Sequence, residues 1–133
     1  MNFRASFCDP FKPDIIELGD IPEDKIMETF IKIPWQDYIE RMKTAKESEM
    51  YYSPSLEIEN KDNRNGLSFS IISETEWYIF FKRPKLVKGF LGIGQKMKEN
   101  YLSEIQGQTE NDVRECITAL LKNNLQFLEN KIK

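Results

Sequence analysis

The stretch Trp77-Tyr78-Ile79-Phe80-Phe81-Lys82-Arg83-Pro84 constrains this chain more than any other. It opens with five consecutive aromatic or β-branched residues, a run that is short for a helix and suits a pleated, well-buried surface. On a strand, Trp77, Ile79 and Phe81 fall to one side and Tyr78, Phe80 and Lys82 to the other. Large apolar groups on both sides predict an interior strand. Pro84 has no N–H to give, so pairing is predicted to end near it.

The preceding segments complete a meander. Leu56 and Ile58 alternate with Glu57 and Glu59, and Leu67, Phe69 and Ile71 alternate with Ser68 and Ser70. The polar stretch between them ends in Asn65-Gly66, a hairpin signal because both residues tolerate positive φ. Ser73–Glu76 reads as a second turn, so residues 55–83 are predicted to form three antiparallel strands. A loop rich in glycine and lysine follows over 85–98. Tyr101, Ser103 and Ile105 then alternate with Leu102 and Glu104, which predicts a fourth strand near 100–106.

Helical patterns flank the meander. Asp20-Ile21-Pro22-Glu23-Asp24 reads as a helix start, with a capping residue, an early proline and acids at the positive end of the dipole. Ile26, Met27, Phe30 and Ile31 share its inner face. Pro34 ends that helix and opens a second over about 34–48, striped by Trp35, Tyr38, Ile39 and Met42. Thr109 caps a last helix, whose stripe of Val113, Cys116, Ile117, Leu120, Leu121, Leu125 and Leu128 runs to about 130. Upstream, Phe3, Ala5 and Phe7 alternate as a short edge strand. Pro10 and Pro13 interrupt the chain, and Ile15, Ile16 and Leu18 form an extended segment ending at Gly19. The expectation is one α+β domain over 1–133. Its antiparallel sheet has about four strands, with two N-terminal helices and a long C-terminal helix packed mainly on one face.

Several function classes drop out. The 133 residues contain no histidine, which removes the commonest general base and the usual zinc and iron ligand sets. No catalytic constellation, metal site or cofactor motif is recognisable, so a non-enzymatic role is expected. The stretch Gly89-Phe90-Leu91-Gly92-Ile93-Gly94-Gln95-Lys96 fails as a phosphate loop, because Gln95 separates glycine from lysine and Met97 replaces the hydroxyl residue. No apolar run approaches the roughly 20 residues of a membrane span. The N-terminus lacks the apolar segment of a signal peptide. A cytoplasmic location follows as an expectation, with Cys8 and Cys116 reduced. Residues 1–60 hold 7 basic and 13 acidic side chains, and residues 61–133 hold 12 and 9. An overall negative chain does not suggest a nucleic-acid partner.

Two candidate sites remain. With the larger apolar residues of the meander turned to the helices, the opposite face carries Glu57, Glu59, Ser68, Ser70, Tyr78 and Phe80. Aromatic groups ringed by polar ones predict a protein interface, with Tyr78 and Phe80 as anchors and Glu57 and Glu59 as rim. Phe3, Phe7 and Phe11 of the N-terminal segment are the competing cover for that face. The partner is another protein or a second copy, and an acidic first half suits a basic partner, as in an inhibitor or immunity-type protein. The second site is the basic cluster Lys82, Arg83, Lys85 and Lys88. Arg83, Lys85 and Lys88 would hold a small anionic ligand under the 89–94 glycine loop. The plainer use of that cluster is a solvated strand end that discourages edge pairing.

Overall fold

The structure is a computed structural model that describes residues 2–89 and 94–133. Six strands form a single antiparallel sheet: β1 (Asn2–Cys8), β2 (Ile16–Pro22), β3 (Ser55–Asn60), β4 (Gly66–Ile71), β5 (Trp77–Lys88) and β6 (Gln95–Gln108). Their order across the sheet is β2-β1-β3-β4-β5-β6. The helices are α1 (Ile26–Lys32), α2 (Trp35–Thr44), α3 (Glu110–Leu121) and α4 (Leu125–Lys131), with short 3₁₀ turns at Glu23–Lys25 and Glu47–Glu49. Among the described residues, no helix is long and apolar enough to cross a membrane.

The α+β class and the antiparallel meander are as the alternation predicts, and the aromatic run lies between β4 and β6 as an interior strand. Phe69 opposes Ile79, and Leu67 opposes Phe81. The expected count of about four strands is too low, and the N-terminal segment supplies the difference. Phe3, Ala5 and Phe7 form an interior strand rather than an edge, because β3 hydrogen-bonds one side and β2 the other. The segment expected to tuck in as far as Gly19 instead continues through a bulge, with Gly19 at φ +77°, and becomes the edge strand β2. Asp20 therefore lies in a strand and caps nothing; its carboxylate takes Lys61 at 3.0 Å.

The loop expected over 85–98 is mostly strand. β5 continues past Pro84 to Lys88 and pairs with Gln95–Lys98; pairing ends near the proline on the β4 side only, where β4 begins at Gly66 opposite Lys82. Of the glycine loop expected at 89–94, the Gly89 N–H donates to the Gly94 carbonyl at 3.1 Å, and residues 90–93 lie outside the described residues. The Asn-Gly hairpin exists, but its left-handed residue is Arg64, at φ +65°. Gly66 serves close approach instead, since a Cβ there would lie 3.1 Å from the Ile58 carbonyl oxygen. The second helix stops at Thr44, short of 48. The long C-terminal helix is two helices, parted at Asn123, whose φ is +55°.

All four helices pack on the same side of the sheet. Phe30 of α1 is the hub of an aromatic cluster, with ring centroids 5.6 Å from Trp35, 5.5 Å from Phe69 and 5.6 Å from Trp77. The buried Trp35 indole N–H donates to the Phe30 carbonyl at 2.9 Å. Val113, Cys116, Ile117 and Leu120 of α3 and Leu128 of α4 join one core with Phe3, Phe7, Leu56, Ile58, Ile79 and Phe81.

Candidate functional site

The other side of the sheet has no helix on it. Strand alternation gives it Arg4 and Ser6 from β1, Glu17 and Asp20 from β2, Glu57 and Glu59 from β3, and Gly66, Ser68 and Ser70 from β4. β5 and β6 add Tyr78, Phe80, Lys82, Leu102, Glu104 and Gln106. Phe3 and Phe7 face the core, so they do not cover this surface. Phe11, half-buried, lies 4.5 Å from the Arg41 guanidinium on α2, on the helix side.

This face has relief. The β4 residues are small, so they floor a shallow trough between two ridges. One ridge is aromatic: Tyr78 and Phe80 stack with centroids 4.6 Å apart and planes 6° from parallel. Gln106 fixes the outer end by donating to the Tyr78 hydroxyl at 3.1 Å. Leu102, 56% exposed, continues the apolar surface beside Phe80. The other ridge is acidic. Glu59 takes Arg4 at 2.7 Å and Lys82 at 3.4 Å, while Glu57 lies 3.7 Å from Lys82 and stays half exposed. A small cavity of about 60 Å³ opens where the ridges meet, among Glu57, Ser68, Phe80, Lys82 and Leu102. A second cleft of about 310 Å³ lies between β2 and β3, lined by Arg4, Ser6, Glu17, Glu57 and Glu59. The acids outnumber the cations on this face. Aromatic ring faces beside carboxylates attract cationic side chains by cation–π and Coulomb terms together.

Tyr78, Phe80, Glu57 and Glu59 thus come together. Arg83, Lys85 and Lys88 do not converge on a common opening. Arg83 points to the helix side and is 3% exposed. Its Nε–H and Nη2–H donate to Glu129 Oε1 and Oε2 at 2.7 and 2.8 Å. Nη1–H donates to Ser103 Oγ at 2.7 Å, and the guanidinium lies over Phe81 and Tyr101 at 4.4 and 4.7 Å. Lys85 reaches the same Glu129 carboxylate at 3.2 Å. The Arg83 hydrogen bonds, and to a lesser degree that of Lys85, hold Glu129 below the ordinary glutamate range against the opposing pull of partial burial. Lys88, by alternation, lies on the open side and stands exposed near the end of β5. Sequence reading missed Leu102, Leu86 and Met97, all about half exposed. Leu86 and Met97 are directly opposed across β5 and β6, a pairing hidden while 85–98 read as loop.

Among the described residues, no group of three or more cysteines and carboxylates is arranged to hold a metal ion. Burial pushes the Cys116 thiol up to about 12, so its reactive thiolate is suppressed within the core. The fold and face define an α+β protein with a one-sided, helix-backed sheet. No family profile, curated protein or solved structure matches the chain.

Proposed function

We propose that this chain is a non-enzymatic protein-binding domain that works through the open face of its sheet. Its partner presents a cationic segment, as the target of an inhibitor or immunity-type protein would. The supporting observation is the stacked Tyr78–Phe80 pair on an uncovered sheet face, with Glu104 beside it, Glu57 and Glu59 two strands away across the trough, and Glu17 farther across the same face. Rigid aromatics supply contact area at small entropic cost, and surrounding carboxylates select a positive partner and speed encounter. The domain acts in the cytoplasm, where both cysteines stay free thiols.

The test is affinity co-purification, followed by calorimetric titration of whatever partner is found. Tyr78→Ser/Phe80→Ser, shown to be folded by circular dichroism, should bind at least about tenfold more weakly than wild type. Glu57→Gln should slow association mainly at low salt. A partner retained at full affinity by the aromatic double variant would remove the open face from the function.

A further inference from the structure

Beyond Arg83, β5 and β6 leave the body of the sheet as a two-stranded arm. β4 pairs no further than Lys82, so Lys85–Lys88 and Gln95–Lys98 have only each other as strand neighbours. Two-stranded ribbons are marginal by themselves. This one has a further defect, since Lys85 lies directly opposite Lys98, and Lys96 follows opposite Val87. Like charges in opposed positions destabilise a ribbon. On the arm's open side sit Leu86 and Met97, 55% and 50% exposed. The side is fixed because Lys85 shares Glu129 with Arg83 on the helix side, and Leu86 is its neighbour in a two-residue alternation. Lys88 shares that side, while Lys85, Lys96 and Lys98 lie on the other. An apolar pair with one lysine at its end calls for an apolar surface with a carboxylate beside it.

The chain has such a surface in its own open face. We propose that the arm of one copy docks on the open face of a second copy, and the reverse, in a closed two-fold dimer. Leu86 and Phe80 point to the same side of β5, six residues and about 20 Å apart. A two-fold axis lying above the open face, perpendicular to β5 and passing over the point midway between them, lays each Leu86–Met97 pair on the other copy's Phe80 and Leu102. It brings Lys88, the arm lysine on that side, toward the partner copy's Tyr78 and Glu104. A two-fold operation makes both contacts identical and closes the assembly, so no filament follows. This rests on reading the open face as a protein-binding surface; Leu86 and Met97 form an exposed apolar pair on that same side, beyond the end of β4.

Sedimentation of the full chain across a concentration series at low salt is the test. Wild type should reach twice the monomer mass, and added salt should weaken the dimer. Leu86→Ser/Met97→Ser on the arm and Phe80→Ser/Leu102→Ser on the face should each weaken self-association at least about tenfold, with circular dichroism unchanged. An equimolar mixture of the two variants should dimerise better than either alone, because an intact arm then meets an intact face. A wild type that stays monomeric overturns the dimer, yet leaves the open face available to a foreign partner. A dimer that survives the arm variant, or a mixture no better than its components, also overturns it. Should the arm variant fail to fold, the single exposed change Met97→Glu replaces it, and unchanged dimerisation there is equally decisive against the proposal.

Discussion

Arg83 and Glu129 show how a single charge is settled in this fold. The guanidinium is buried, while the Glu129 side chain keeps 34% of its surface. Removing the carboxylate orphans a buried cation; removing the cation leaves a carboxylate that still reaches Lys85 and water. Glu129→Gln should therefore cost roughly 1–3 kcal/mol by denaturant titration. Arg83→Met should cost no more than about 1 kcal/mol, because a buried charge is replaced by a matched apolar volume. The reverse ranking would mean that Arg83 packing over Phe81 and Tyr101 outweighs its pairing. The acid dependence has a definite sign. A carboxylate held low in the fold contributes fully above its ordinary value of 4.5 and loses that contribution as pH falls through the lowered folded value. Wild type should lose stability below about 4.5 more steeply than Glu129→Gln. None of this is legible in a basic run, because the partner sits 46 residues away on a helix the sequence merges with its neighbour. By contrast, Tyr78 and Phe80 are legible, because β alternation sets their side without reference to any distant residue.

At the scale of elements, local chemistry is readable where one residue type has one use. Thr109 is such a case: its hydroxyl accepts the Asp112 N–H at 3.2 Å, and the Asp112 carboxylate returns to the Thr109 N–H at 2.8 Å. The break between α3 and α4 is subtler, because the apolar stripe runs straight through it. Asn123 takes the left-handed conformation, with its N–H on the Leu120 carbonyl, and the Asn124 N–H returns to Ala119. Asn124 then caps α4 by accepting from the Phe127 N–H at 3.3 Å. Two adjacent asparagines can close one helix and open the next without disturbing spacing, so periodicity overlooks them. The same blindness affects β1: its alternation is evident, but only a partner on each side makes it interior, and β2 is too exposed to carry a strand signal of its own. Asn123→Ile, with a β-branched side chain at φ +55° and the Asn63 hydrogen bond lost, should destabilise by about 1–2 kcal/mol. Asn123→Gly should restore most of that loss. Equal midpoints for the two variants in urea would show that the left-handed turn carries no strain.

The whole molecule divides by how many neighbours each strand has. β1, β3, β4 and the first half of β5 lie between strands and under helices, and among the described residues they hold the sheet's buried apolar side chains. β2 has one neighbour and little burial, and the arm has one partner strand with neither face packed along Leu86–Lys88. Stability is therefore graded across one continuous sheet, although the hydrogen-bond ladder looks uniform. Native-state hydrogen exchange reads this gradient directly. Amides of β3, β4 and Trp77–Phe81 should exchange only through global unfolding. Those of β2 should exchange faster through local opening, and those paired between Lys85–Lys88 and Gln95–Lys98 fastest of all, as expected of an unsupported ribbon. The measurement also bears on the docking of the arm. In a dilute sample the arm amides should be the least protected of any strand. At concentrations where the dimer forms, they should slow while β2 does not, because the arm gains a covering surface and β2 gains none. Arm protection equal to that of β4 at every concentration would mean that the ribbon is held by its own chain, and would leave it no need of a second copy.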